Sequence, residues 1–197
     1  AIGIGVLGYH SLFQSKRIEF DSLEAKRLNN EIFKTIKERS ENESKRLSQL
    51  LGYECFREGF ANTTLMAIAP TKSSSFIHGA VSMGIEPIKS NYFVKDLAKS
   101  KSVYKNPFLE AELEKYDLNT PKIWKSILDA DGSVQHLDFI TKEVFKSFIE
   151  ISPKELVLQA AQRQKYIDQS QSLNLMIDPS ISAKDINQLY MYAWEEG

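Results

Sequence analysis

Thr71, Lys72, Ser73, Ser74 and Ser75 place a lysine, four hydroxyls and a run of backbone amides directly after an apolar stretch, Leu65 to Ala69, which Pro70 closes. The stretch reads as a buried strand, and the short apolar segment after the serines reads as the start of a helix. Amides at a helix start lack an intrahelical acceptor and carry partial positive charge. Hydroxyls add neutral donors and the lysine adds a full charge, so a phosphorylated ligand would satisfy all of them together. The expected chemistry of Thr71, Lys72, Ser73 and Ser74 is therefore phosphate binding.

Other patterns read as structure. Gly3-x-Gly5-x-x-Gly8 has the spacing of a dinucleotide fingerprint, but only two residues precede it, and that motif needs a strand before it and a βαβ unit after it. Close packing or a sharp turn explains these glycines better. His10, His78 and His136 are scattered without an i, i+4 partner or a nearby cysteine, so no metal site is expected. His78, four residues after Ser74, would lie one turn above the phosphate if a helix starts there, although a structural histidine is the simpler reading. Glu110, Glu112 and Glu114 alternate on a predicted helix and should spread round it as a solvated surface rather than pair for acid and base catalysis. No Ser-His-Asp set is recognisable from spacing.

Several segments, in order, resemble the large, catalytic subunit of class I ribonucleotide reductases. These are Gly3-Ile4-Gly5-Val6-Leu7-Gly8, Asn62-Thr63-Thr64-Leu65 with Ala61 where arginine is usual, the Pro70 to Ser74 turn, Gly84-Ile85-Glu86-Pro87, and Tyr166-Ile167-Asp168-Gln169-Ser170 with Asn174. The resemblance covers nearly the whole chain and implies a C-terminal part of the catalytic barrel, cut on both sides. It implies an α/β fold: a helix-rich fragment of a ten-stranded barrel with few strands present, forming a single domain over residues 1–197. The chain begins with Ala1 rather than methionine, which fits either a removed tag or a start further upstream, and the resemblance favours the second.

The activity implied is that of an oxidoreductase converting ribonucleoside diphosphates to deoxyribonucleotides for DNA replication, with this chain contributing the substrate phosphate-binding turn. Glu86 and Asn174 fall in matching segments and form a second line of candidates, although a loop-holding carboxylate and a strand-end cap would explain them equally. The family's radical cysteine sits in Asn-x-Cys-x-Glu, whereas Cys55, the one cysteine, is flanked by Tyr53 and Arg57. No catalytic residue is assigned, and neither that cysteine nor the family's tyrosine pair is present, so the chain alone is expected to be inactive. No cofactor is expected in this chain. The complete enzyme implied would need the remainder of the large subunit, a metal-containing radical-generating small subunit, an external thiol reductant and nucleotide effectors. The alternative is a non-catalytic module: a separately expressed part of a split reductase, or a helical interaction protein retaining a phosphate turn. Half a barrel would leave apolar surface uncovered, which makes a homodimer a further expectation.

With 197 residues, 42% hydrophobic and 26% charged, the chain can bury one sizeable core. A net charge of −1 argues against duplex nucleic acid as a partner. No run of eighteen apolar residues, no signal peptide and no pair of cysteines point to a reducing cytoplasm rather than a membrane or secreted setting.

The elements that must position the turn are mostly helices. Asp21 with Glu24 has capping-box spacing and should open a long helix towards Leu51, with Leu28, Ile32, Ile36, Ser40, Ser44, Leu47 and Leu51 on its packed stripe. The two serines leave a shallow place where another backbone could approach. Residues 88–106 interleave Lys89, Lys95, Lys99, Lys101 and Lys105 with Tyr92, Phe93 and Tyr104 and read as an exposed flap rather than a single-strand nucleic-acid platform. Further helix starts are marked by Pro107, by Thr120-Pro121 and by Ser152-Pro153-Lys154-Glu155, the last running to about Ser170 with Val157, Ala160, Ala161, Gln164 and Ile167 inside. Ser172 to Ile177 reads as a strand ended by Asp178-Pro179. Ser182 with Asp185 caps a last helix whose apolar side holds Ile186, Leu189, Tyr190 and Ala193.

Overall fold

A computed structural model describes residues 1–97 and 100–197. Two hydrophobic clusters organise it. The first gathers Tyr9 and Phe13 of α1 (Tyr9–Ser15), Phe33 of α2 (Leu23–Leu51), Leu65, Met66, Ile85 and Leu156 of α6 (Pro153–Gln164). The second gathers Leu109 and Leu113 of α4 (Pro107–Lys115), Trp124 and Ile127 of α5 (Pro121–Asp129), and Val144 and Phe145 of a short 3-10 turn. Between the clusters in sequence lie α3 (Lys72–Ile77) and the antiparallel hairpin of β1 (Tyr92–Leu97) and β2 (Ser100–Lys105), paired from Tyr92 with Lys105 to Leu97 with Ser100. These are the two strands among the described residues. The chain closes with α7 (Ala183–Glu195).

The long helix starts one residue later than expected. Ser22, not Asp21, is its N-cap, and the Ser22 hydroxyl oxygen accepts from the Ala25 amide at 3.1 Å. Its end is as read, with Gly52 in the left-handed conformation at φ 60°. The seam is rotated, however: Ala25, Asn29, Phe33, Ser44 and Ser48 are buried, Leu28, Ile32 and Ile36 flank them, and Leu51 is exposed. The shallow point at Ser44 does receive a second backbone, because the Ala61 amide donates to the Ser44 carbonyl and the Asn62 amide to its hydroxyl.

Buried polar groups join α1, α2 and α6. The Tyr9 hydroxyl lies 2.8 Å from Gln159 Oε1 and 2.9 Å from Asn29 Oδ1. Asn29 donates to the Gln159 carbonyl, and Gln159 to the Phe20 carbonyl. Both amide groups are thus fixed in orientation by their donors, leaving two oxygens for the single Tyr9 proton. The Arg163 guanidinium, 3.5 Å from Asn29 Oδ1, supplies a second donor.

Three helix starts fall where the sequence puts them, with hydrogen bonds from the amides of Phe108, Ile123 and Asp185 to the side-chain oxygens of Asn106, Thr120 and Ser182. At α6 Pro153 opens the helix, but Ser152 makes no side-chain cap, and the helix stops at Gln164 rather than near Ser170. Its buried side is Leu156, Val157, Gln159, Ala160 and Arg163, while Ala161 and Gln164 are only half-buried. On α7 Leu189 is buried and Tyr190 is 73% exposed, so the packed side is narrower than expected. Glu112 reverses the solvated-surface reading. It is 4% exposed, takes Arg17 Nε at 3.1 Å and the Thr141 hydroxyl at 2.9 Å, and pairs with Lys115.

Neither predicted single strand joins a sheet. Leu65 to Ala69 is extended and contributes one parallel bridge, Met66 with Ile4. Ser172 to Ile177 has the period of a strand, with Leu173 and Leu175 packed on the first cluster and Ser172, Asn174 and Met176 outward, but no ladder partner among the described residues. The residue 88–106 flap is the hairpin, where Phe93 and Tyr104 stack at 4.8 Å. Lys99, one of its lysines, lies outside the described residues. No helix among the described residues is long and apolar enough to cross a membrane.

Candidate phosphate site

The glycines at the chain's start let two backbones meet below the turn. A Cβ on Gly3 would lie 2.9 Å from the Ala67 Cβ, and one on Gly5 would lie 2.5 Å from the Ala67 carbonyl oxygen. Only glycine fits at Gly5 without moving backbone, so the spacing serves close approach rather than a dinucleotide. Ile4 then pairs on both sides, its amide donating to the Leu65 carbonyl at 2.6 Å and its carbonyl accepting from Ala67 at 3.1 Å.

From this base the chain passes through Pro70 into Thr71, whose φ of 44° is left-handed. That region is strained for a β-branched residue, by about 1–3 kcal/mol. The Thr71 hydroxyl oxygen accepts from the Gly84 amide at 2.8 Å, which holds the strained residue. Gly84 has to be glycine twice over: its φ is +51°, and a Cβ there would stand 2.7 Å from the Ala69 carbonyl oxygen. The Gly-Ile-Glu-Pro segment thus grips both sides of Pro70.

Thr71 is the N-cap of α3, and Ser75 is the first residue to return its amide to the helix, donating to the Thr71 carbonyl at 3.0 Å. The amides of Lys72, Ser73 and Ser74 therefore open the first turn, and all three side chains are exposed. Ser75 is different: it is buried, and its hydroxyl donates to the Lys72 carbonyl at 3.1 Å. The four sequence-predicted residues are contiguous and share one turn, with three side chains reaching solvent and Thr71 committed to Gly84. His78 is the exposed C-cap of α3, at the opposite end from the opening amides.

Glu86 and Asn174, 88 positions apart, come together: the Asn174 side-chain amide donates to Glu86 Oε1. Both line a small cleft with Ile68, Ala69, Pro70 and Gly84, directly beside the turn. A larger hollow of about 540 Å³ lies past the other end of α3, lined by Phe76, Val81, Met83, Pro87, Phe93 and Tyr104 among others. None of Thr71 to Ser74 lines it, and its walls are mostly apolar.

The residue that sequence reasoning left without a role is Asp168. One carboxylate oxygen accepts from both the Leu65 and Met66 amides, at 2.7 Å each, and the other pairs with Lys37. Burial alone would push this carboxyl up, but Lys37 and the two amides outweigh it and hold it below the ordinary aspartate value. Its signal was its place in the Tyr-Ile-Asp-Gln-Ser segment. His10 is fully buried, accepts from the Ile88 amide through Nδ1 at 2.9 Å, and is driven by burial down to about 3, so it stays neutral. Among the described residues no three His, Cys, Asp or Glu side chains group as a metal site.

Comparison with known proteins identifies the family. The family described as ribonucleotide reductase, barrel domain, matches residues 1–57 and 49–197. The chain is 39% identical to the ribonucleoside-diphosphate reductase large subunit of Invertebrate iridescent virus 3 and 31% identical to that of Caenorhabditis elegans, in each case over all of this chain and 32% and 29% of the relative. Among solved structures, the class Id ribonucleotide reductase alpha subunit of Actinobacillus ureae superposes with a TM-score of 0.91 at 52% identity, covering 100% of this chain and 37% of that one. This chain thus spans about a third of the length of these relatives. With the family matched from end to end and the fold agreeing, the chain belongs to the ribonucleotide reductase barrel-domain family.

Proposed function

We propose that this chain provides the substrate-phosphate grip of a ribonucleoside-diphosphate reductase large subunit, in the reaction that converts ribonucleoside diphosphates to deoxyribonucleotides. The observation that carries the reading is the Thr71 turn, a left-handed residue pinned by Gly84 that presents three first-turn amides beside exposed serine hydroxyls. The amides of Lys72, Ser73 and Ser74 donate to phosphate oxygens, the Ser73 and Ser74 hydroxyls add donors, and Lys72 adds charge. Because the donors are held before the ligand arrives, little ordering is needed on binding. Glu86 and Asn174, in the adjoining cleft, form a second line of candidate contacts to the substrate. The reduction itself belongs to groups outside this chain: the rest of the large subunit, a radical-generating small subunit with its metal centre, and a thiol reductant.

Calorimetry with a nucleoside diphosphate tests this. The unmodified chain should bind, and Ser73→Asp should abolish binding, because a carboxylate would face the phosphates at the first-turn amides. Unchanged affinity in Ser73→Asp would remove the turn from the site.

A second reading, an assembly module, has its own observation. Tyr190, Met191 and Trp194 on α7 are exposed, as are Ile77 and Phe56, the last at 102%. Such apolar groups favour burial against more polypeptide. A monodisperse monomer in gel filtration would count against that reading, while leaving phosphate binding untouched.

A further inference from the structure

Every backbone polar group from the Leu65 amide to the Ala67 amide is paired, yet among the described residues no sheet surrounds them. Ile4 serves one edge, taking the Ala67 amide and giving its own to the Leu65 carbonyl. On the other edge Asp168 does the remaining work: its carboxylate accepts from the Leu65 and Met66 amides, and its own amide donates to the Met66 carbonyl at 3.3 Å. One residue thus replaces a neighbouring strand, satisfying groups that would otherwise be left unpaired at a nearly fully buried segment. Four residues after Ala67 the chain enters the turn at Thr71.

We infer that Asp168 is a positioning residue for the phosphate turn, fixing the direction in which the Leu65–Met66 segment delivers Thr71 to Ser74; this rests on the function proposed above. A carboxylate is needed because both jobs require acceptors. One oxygen takes two amides while the other takes the Lys37 ammonium, and an amide side chain would turn a donor towards one of these donors. Lys37 is itself held, with Glu41 Oε1 at 3.6 Å and, on the same oxygen, Arg57 at 2.8 Å. The carboxylate is therefore anchored from α2 and cannot follow the segment if the segment drifts.

The test uses the full chain, inorganic pyrophosphate as the probe, and two readouts. Asp168→Asn should weaken pyrophosphate binding in calorimetry about tenfold, as expected if the aligned turn falls to roughly a tenth of the population, with circular dichroism showing the fold retained. In the unmodified chain, pyrophosphate should slow hydrogen exchange at the Leu65 and Met66 amides, because coupling between clamp and turn acts in both directions. Binding that merely stabilises the fold slows buried amides alike, so a purely structural aspartate predicts no more slowing at Leu65 and Met66 than at Ile127 in the second cluster. Wild-type affinity in a folded Asp168→Asn, or exchange at Leu65 and Met66 slowed no more than at Ile127 by saturating pyrophosphate, overturns the positioning role while leaving the phosphate site standing. If the variant fails to fold, the exchange readout on the unmodified chain decides alone. Absence of any pyrophosphate binding to the unmodified chain is a different result and overturns the phosphate reading together with the inference.

Discussion

Residues 65–70 and 172–177 are both extended, both apolar in alternation or in a run, and both outside any sheet among the described residues, yet only one leads into the Thr71 turn proposed to hold phosphate. The first is pinned through the backbone of Leu65 to Ala67, by Ile4 on one edge and Asp168 on the other, and just beyond it the Gly84 amide holds the Thr71 hydroxyl. The second is held through side chains, Leu173 and Leu175 packing on the first cluster and Asn174 reaching Glu86. Side-chain packing limits where a segment lies, but backbone hydrogen bonds also fix its rotation and register. A turn whose donors are main-chain amides needs the second kind of control, since a small rotation would point the amides away from a bound anion.

The largest break in the comparison should come at Gly84. Gly84→Ala adds a left-handed φ to a Cβ only 2.7 Å from the Ala69 carbonyl oxygen. It should cost about 2–4 kcal/mol in urea unfolding and abolish pyrophosphate binding, strain and backbone clash acting together. Leu173→Ala, on the side-chain-held segment, should cost only about 1 kcal/mol, below the range for fully buried leucines because Leu173 is half-buried. It should leave phosphate affinity unchanged, and a change of tenfold would erase the distinction between the two segments.

A smaller effect comes from acid. The Asp168 carboxyl titrates below its ordinary value in the folded chain, so its stabilising contribution is complete above about pH 4 and disappears as the pH falls through the lowered value. His10 imposes a separate acid loss, since it is neutral in the core down to about 3 and its unfolded form binds a proton from about pH 6.5 downward. Urea unfolding of the unmodified chain and of Asp168→Asn at pH 6 and pH 3 separates the two. The stability gap between them should shrink at pH 3, and a constant gap would show that charge on Asp168 is not what holds the segment.

The parts of this fold legible in the sequence are those decided locally. Thr120, Ser182 and Pro107 announce their helices because caps and first-turn prolines act within three residues. The Thr71 turn, with its consecutive first-turn amides and exposed side chains, is legible for the same reason. What the sequence concealed depends on partners far along the chain. Glu112 looked solvated because Arg17 and Thr141, which neutralise and bind it, lie 95 and 29 positions away. Leu65 to Ala69 looked like a strand because its apolar run is that of one, whereas its partners are a single bridge to Ile4 on one edge and a carboxylate more than a hundred positions away on the other. The helix expected to reach Ser170 stops at Gln164, leaving Asp168 outside it to turn back to Leu65 and Met66. Glu86 and Asn174 were both visible as candidates, but their pairing was not.

The most direct measurement is an amide chemical-shift map of the full chain titrated with a ribonucleoside diphosphate. The largest shifts should fall on Lys72, Ser73 and Ser74, with smaller ones at Gly84. Shifts centred instead on the apolar hollow beside Phe93 and Tyr104, with Ser73 and Ser74 unmoved, would contradict the proposed phosphate site.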